Sequence, residues 1–269
     1  MTSKLDLKQA YTEHLAHVSD KFKSESASMA QAIGGEFEAF GIIEREMLKH
    51  YGLGNDSYLI DVGCGSGRLA KPLAELPSVR YLGTDIVSAL VDYARTSVNR
   101  SDWTFKTVDD LAIPEKDAVA DMVCFFSVFT HLLHEQSYIY LEEVKRVLKP
   151  GGTVVLSFLE FNMAFHWNVF EATINDARGA NQHPLNVFIE RNALAAWALH
   201  LGLEVVEMRD GSEAFVPLPH PLTLEDGRVV EGFGNLGQSI CVLRKPVGQQ
   251  MQPRASGLDG NQDSSLRPS

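Results

Sequence analysis

The chain has 269 residues, 45% hydrophobic and 22% charged, with 21 glycines and 11 prolines; such a composition builds a sizeable core and excludes a collagenous or wholly disordered chain. The formal charge of −11, from 24 Lys and Arg against 35 Asp and Glu, offers no basic stripe for a nucleic-acid backbone. The N-terminal segment lacks the apolar stretch of a secretory signal, and the longest apolar run, MVCFFSVF at 122–129, is far too short for a membrane span, so a cytoplasmic protein with neither nucleic-acid nor membrane partners is expected.

Residues 1–35 are polar and mildly helical, a small cap ahead of the main domain. Over 36–51, Phe37, Phe40, Met47, Leu48 and Tyr51 fall roughly on one face of a helix that Gly52 and Gly54 end. A strand–helix alternation follows. Strands are predicted at 58–62, 79–84, 103–107, 120–126 and 153–159. Helices are predicted after the glycine turn at 63–67, with Leu69, Leu73 and Leu76 inward, over 86–98, and over 136–148 up to Lys149-Pro150-Gly151-Gly152. Residues 160–190 mix aromatics with polar residues and follow no single period. A helix at 191–201 and two strands at 203–208 and 238–243 complete the domain, and the polar segment 246–269 is expected to be disordered. The fold class is therefore α/β, a doubly wound, mostly parallel seven-stranded sheet with an N-terminal helical cap. Cys64, Cys124 and Cys241 are odd in number, widely spaced and without a CxxC; buried free thiols are expected, and no metal-ligand spacing stands out.

The sheet's carboxyl edge is where open α/β folds bind ligands, and the informative residues lie there. Asp61-Val62-Gly63-Cys64-Gly65-Ser66-Gly67 leaves a strand and opens a helix, so that bare backbone and free N–H groups can meet a nucleoside. From Gly65 to Ala70 the spacing also satisfies a dinucleotide pattern, which keeps a nicotinamide-dependent oxidoreductase open, as does a non-catalytic nucleoside-binding protein. Asp85, 18 residues after Gly67, is placed for ribose hydroxyls or as the charge at a helix start. Asp109 and Asp110 follow the third strand, at an adenine edge or in a solvated turn. Ser127 follows the fourth strand. His131 lies just beyond it, as a general base or as a histidine bound to backbone at a helix start. Glu160 is a further candidate. Phe161, Phe165, His166 and Trp167, with Phe170, could wall a substrate pocket or simply pack together.

Taken together, YLIDVGCGSGRL, YLGTDI, VDDLAIP, DMVCFFSVFTHL and EVKRVLKPGGTVVLSF resemble the class I S-adenosylmethionine-dependent methyltransferases over about residues 36–160. The resemblance implies a Rossmann-like domain over 36–245, closed by an antiparallel strand and carrying a substrate-pocket insertion at 160–190. It implies S-adenosyl-L-methionine as cofactor and a small-molecule acceptor; the acidic charge and the aromatic insertion favour an oxygen as the methylated atom. Asp61, Gly63, Gly65 and Gly67 would lie along the methionine portion. Asp85 would take the ribose hydroxyls, Ile86 would stack on the adenine, Asp109 or Asp110 would meet its edge, and Ser127 would sit near the amino-acid end. The acceptor pocket is expected to draw on the first 33 residues, the 160–190 insertion and the 209–237 connection.

Overall fold

The computed structural model describes residues 7–22, 24–179 and 186–248. Most of the expected tail lies outside the described residues. The elements run α1 (Leu7–Lys21), α2 (Glu25–Ala32), α3 (Phe37–His50), β1 (Tyr58–Val62), α4 (Ala70–Leu73), β2 (Arg80–Asp85), α5 (Ser88–Val98), β3 (Thr104–Thr107), β4 (Ala120–Phe125), α6 (His134–Val147), β5 (Leu148–Phe158), α7 (Trp167–Arg178), α8 (Arg191–Leu201), β6 (Glu204–Arg209) and β7 (Ser239–Arg244). The strands form one seven-stranded sheet in the order β3-β2-β1-β4-β5-β7-β6. The first five are parallel, and β7 runs antiparallel between β5 and β6, with Ser239 opposite Phe158.

Alternation along the strands sends neighbouring side chains to opposite faces. Leu59, Tyr81, Met122, Cys124 and Val155 meet Ile43 and Met47 of α3 and Val91 and Ala94 of α5. Ile60, Leu82, Val123, Phe125 and Leu156 meet Leu141 and Val144 of α6 and Leu194 and Ala198 of α8. Both faces are covered, which is why β1, β2 and β4 read as short apolar runs. All three cysteines are buried free thiols.

The cap has its own small core. Leu15, Met29 and Ala32 close over Val87 and Leu90 at the start of α5. Ser24 caps α2 by accepting from the Ala27 N–H at 3.3 Å. Met29 and Ile33 are tied to the glycine turn, since Ser66 Oγ donates to the Met29 carbonyl at 2.9 Å and Arg68 Nη1 to the Ile33 carbonyl at 3.2 Å.

Several boundaries differ from the sequence expectation. The helix after the glycine turn is α-helical only over Ala70–Leu73 and then tightens, with the Leu76 N–H reaching the Leu73 carbonyl at 2.9 Å. Strand β5 begins at Leu148 rather than 153, because the glycine pair stays in register with the end of β7: Gly151 N–H donates to the Lys245 carbonyl at 2.7 Å and Lys245 N–H to the Gly152 carbonyl at 2.9 Å. The irregular 160–190 segment contains α7, a helix with no buried residue. The 209–237 connection folds into two short antiparallel ribbons, Val216–Pro217 with Phe233–Gly234 and Leu222–Thr223 with Val229–Val230, whose Val216 and Leu222 join the α3 side of the core. No helix among the described residues is long and apolar enough to cross a membrane.

Candidate functional site

A cavity of about 760 Å³ opens along the carboxyl edge of the sheet, under the cap, within the size range of small-molecule sites. Its floor is the turn after β1. Gly63 and Cys64 donate to the Thr84 carbonyl at 2.7 and 2.9 Å, which moors the turn to β2. Gly63 has φ +78°, and a Cβ there would stand 2.3 Å from Val128 Cγ2; Gly65 has φ +52°, and a Cβ there would meet Ile33 of the cap at 2.8 Å. Only glycine fits both the backbone and the space. Gly67 does not line the cavity; its Cα faces α5, where a Cβ would sit 3.2 Å from Ala94. Its observed neighbours are those of helix packing, and it stands apart from Gly63 and Gly65 in that respect.

Asp85 ends β2 and lines the cavity. Its Oδ2 accepts from the Gly65 N–H at 3.0 Å and its Oδ1 from the Val87 N–H at 2.9 Å, so one carboxylate joins the turn to the start of α5. Burial pushes its pKa up, against the pull of these backbone donors. Asp61, on β1, is 3% exposed and also lines the cavity. Its Oδ2 accepts from Tyr81 Oη at 2.7 Å, and Cys124 Sγ lies 3.5 Å from Oδ1. Burial raises this carboxyl to about 7, with the charges of Glu44 and Asp85 adding to the effect.

Ile86 and Val108 form the cavity's apolar side at β2 and β3. Asp109 and Asp110 are exposed and do not line it; Asp109 is an ion-pair partner of Lys8. The chain turns outward after Val108, whose N–H is held by the Asp85 carbonyl at 2.9 Å, so the residue at the rim is Val108, in place of either aspartate. Ser127 lines the cavity in a left-handed conformation (φ 58°). Its N–H donates to Ser157 Oγ at 2.8 Å, and its Oγ accepts from Gln238 Nε2 at 3.0 Å. A strained non-glycine residue pinned on both sides is a feature of functional sites.

His131 lines the cavity too, and its ring meets that of Tyr11 edge to face at 5.5 Å. The Tyr11 phenol is held in its neutral form by burial first and by the charge of Asp85 second.

The aromatic residues of the insertion lie outside the lining. Phe161 stacks on Phe188 with centroids 4.5 Å apart, and Trp167 and Phe170 complete that cluster. Phe165 packs against the ring of His166. His166 is fully buried; Nδ1 accepts from the Glu160 N–H at 3.1 Å, and Nε2 faces the Gly237 carbonyl at 3.2 Å. Glu160 is clamped by Arg191, 2.7 Å from Nη2, and by Ser239. None of Phe161, Phe165, His166, Trp167 or Glu160 lines the cavity. The aromatics pack on one another outside the cavity, with Phe161 and Trp167 still exposed, and His166 and Glu160 are engaged by neighbouring backbone and side chains. Residues 209–237 are likewise absent from the lining, and from the insertion come Ala172, Asn175, Asp176 and Asn186.

Sequence reasoning missed the buried pair Arg68–Glu44, with Nη2 2.6 Å from Oε1, both on the lining. Glu44 lies four residues from both Phe40 and Leu48, on the apolar stripe of α3; a carboxylate there needs a partner, and that was the available signal. Tyr11 and Tyr140 were also missed. Among the described residues no group of three or more His, Cys, Asp or Glu side chains is placed to hold a metal ion.

Residues 60–156 match the family model of a methyltransferase domain. A ubiquinone biosynthesis O-methyltransferase of Coxiella burnetii is 25% identical over 155 residues, which are 56% of this chain and 65% of that protein. One from Cereibacter sphaeroides is 32% identical over 108 residues, 39% and 42% of the two chains. The chain thus spans less than two thirds of these relatives. Among solved structures, the putative methyltransferase in complex with the Haloferax volcanii Trm112 methyltransferase activator superposes with a TM-score of 0.61 at 19% identity, covering 91% of this chain and 99% of that one. Magnesium protoporphyrin IX methyltransferase from Synechocystis, with bound SAH, gives 0.55 at 14% identity, covering 89% and 96%.

Proposed function

We propose that the chain, whose residues 60–156 match the family model of a methyltransferase domain, transfers a methyl group from S-adenosyl-L-methionine to an oxygen of a small-molecule acceptor. The observation that carries this reading is the Gly65–Asp85 hydrogen bond inside one cavity, at 3.0 Å. It joins the bare turn to Asp85, the carboxylate we assign to the ribose hydroxyls. The O-methyltransferase names of the curated relatives support the oxygen acceptor.

The residues present fit the cofactor. Asp85 has lone pairs for two ribose hydroxyls beyond those used by its backbone donors. Ile86, Leu90 and Val108 offer an apolar slot for the adenine. Asp61, Gly63, Gly65 and Ser127 would border the methionine portion. When bound, the cofactor would supply an electrophilic sulfonium methyl group, with a neutral thioether as leaving group. His131 takes the hydroxyl proton, and contact with Tyr11 keeps its ring facing the cavity. The cap excludes water by closing over Val87 and Leu90. This reading places a 36–245 catalytic domain in the cytoplasm, acting on a diffusible acceptor.

Calorimetric titration with S-adenosylhomocysteine tests it. Folded protein that fails to bind removes the proposal. Asp85→Ala should weaken binding by about 1–3 kcal/mol, the loss of a hydrogen-bonding partner for buried hydroxyls; unchanged affinity would refute the ribose assignment.

A further inference from the structure

The amino-acid end of the proposed cofactor carries an ammonium and a carboxylate. Asp61, Gly63, Gly65 and Ser127, which would border it, offer carboxylate, hydroxyl and backbone groups but no cation. A carboxylate taken out of water needs a charged partner with good geometry. Arg68, on the lining just past the glycine turn, is such a group. It is 8% exposed and pairs with Glu44 of α3, which is buried more deeply still and also lines the cavity.

Arg68 is fixed and still has donors to give. A guanidinium has five N–H groups. Two bonds hold it within the chain, from Nη2 to Glu44 Oε1 at 2.6 Å and from Nη1 to the Ile33 carbonyl at 3.2 Å. The Phe40 ring lies 5.8 Å from it and covers one face, so a further acceptor approaches along its edge. Glu44, Ile33 and Phe40 thus set the fork in one orientation ahead of any ligand, as carboxylate recognition by arginine requires. The pair also stands at the right end of the cavity. The charge of Glu44 acts on Asp61 of β1 and Cys124 of β4, whereas the adenine slot at Ile86 and Val108 belongs to β2 and β3, on the other side of β1. His14 and His131 line the cavity as well, and each is engaged by other groups. Tyr11, three residues before His14 on the same face of α1, touches the His131 ring and feels the charge of Asp85. That contact sets both histidines toward the ribose side.

We infer that Arg68 is the carboxylate anchor of the cofactor: oriented by Glu44, its guanidinium takes the α-carboxylate, and the ammonium faces the carboxylates of Asp61 and Glu44. The inference rests on the methyltransferase reading. It gives the buried pair a role in specificity, since adenosine thioethers that lack the carboxylate lose this contact and keep every other.

Calorimetry on the full chain tests this with three ligands: S-adenosylhomocysteine, its decarboxylated analogue, and methylthioadenosine, which lacks the amino-acid end altogether. The wild type should bind S-adenosylhomocysteine about tenfold or more tighter than the decarboxylated analogue, the usual worth of a hydrogen-bonded charge. In the double variant Arg68→Met/Glu44→Gln, which removes both buried charges together, those two ligands should bind nearly equally, and methylthioadenosine should bind as it does to the wild type. His14→Gln should keep the wild-type preference. A wild type that gains nothing from the carboxylate would overturn the inference, and that measurement needs no variant to fold. So would a double variant that keeps the preference, one that weakens all three ligands by the same factor, or a His14→Gln variant that loses the preference. Failure of all three ligands to bind the folded wild type would instead remove the methyltransferase reading, and the anchor with it.

Discussion

Replacing Asp61 by Asn isolates the stability that this protein gives up for its site. Asp61 is almost wholly buried, and its carboxyl is raised from 3.8 to about 7, chiefly by burial. Between those two values the folded state holds a proton that the unfolded chain has lost. Stability therefore falls as pH rises through that window, and the slope vanishes once both states are ionised. Asn cannot ionise, still accepts from Tyr81 Oη, and leaves the volume unchanged. From pH 5 to the folded value is two units at about 1.4 kcal/mol each. The stability of Asp61→Asn relative to the wild type should consequently rise by about 3 kcal/mol between pH 5 and pH 8. Urea denaturation of the apo protein at both pH values measures it. A difference that is constant to within ~0.5 kcal/mol, the usual scatter of independent sites, would refute the premise that burial dominates the Asp61 environment.

Gly63→Ala should lose about 2–4 kcal/mol by denaturant unfolding, combining left-handed strain with overpacking against Val128. Adding Val128→Ala should return the overpacking part; a double variant as unstable as the single one would rule out that contact as the cause. His131→Ala should lower kcat by roughly 100-fold or more, the usual contribution of a positioned base, with little change in S-adenosylhomocysteine affinity. Full turnover would leave His131 a structural residue.

What could be read from the sequence follows from what was buried. The runs at 58–62 and 120–126 are flanked by helices on both faces, so nearly every side chain had to be apolar and the strands announced themselves. No residue of helix α7 is fully buried; its apolar side chains are only partly covered, and the polar and aromatic residues on either side of it hid its period in the longer segment. Phe161, Trp167 and Phe170 carried a strong compositional signal but an ambiguous one, because aromatic rings that wall a ligand and rings that pack on one another have the same sequence signature. Gly67 shows the same limit within a motif. It is demanded by φ +92° and by Ala94, and spacing alone cannot separate that demand from ligand contact. The shift from Asp109 and Asp110 to Val108 arises because one residue of turn decides whether a side chain faces the rim or water.

The raised Asp61 carboxyl has a consequence for ligand binding that can be counted in protons. Asp61 shares its surroundings with Glu44, Asp85, Arg68, Tyr81, Cys64 and Cys124; Glu44 and Asp85 are acids that burial also pushes up. With a folded value of about 7, Asp61 is half protonated at neutral pH. A ligand that brings positive charge next to it lowers that value, so binding expels up to about half a proton near pH 7 and affinity climbs as pH rises through the same range. S-adenosylmethionine, with its sulfonium, should release more than S-adenosylhomocysteine, whose ammonium and carboxylate cancel. Calorimetry in buffers of different ionisation enthalpy gives the number directly. The release should be greater for the sulfonium ligand and should largely disappear in Asp61→Asn. Proton uptake on binding, or an undiminished release in that variant, would show that the charge compensated by the ligand lies elsewhere in the cavity.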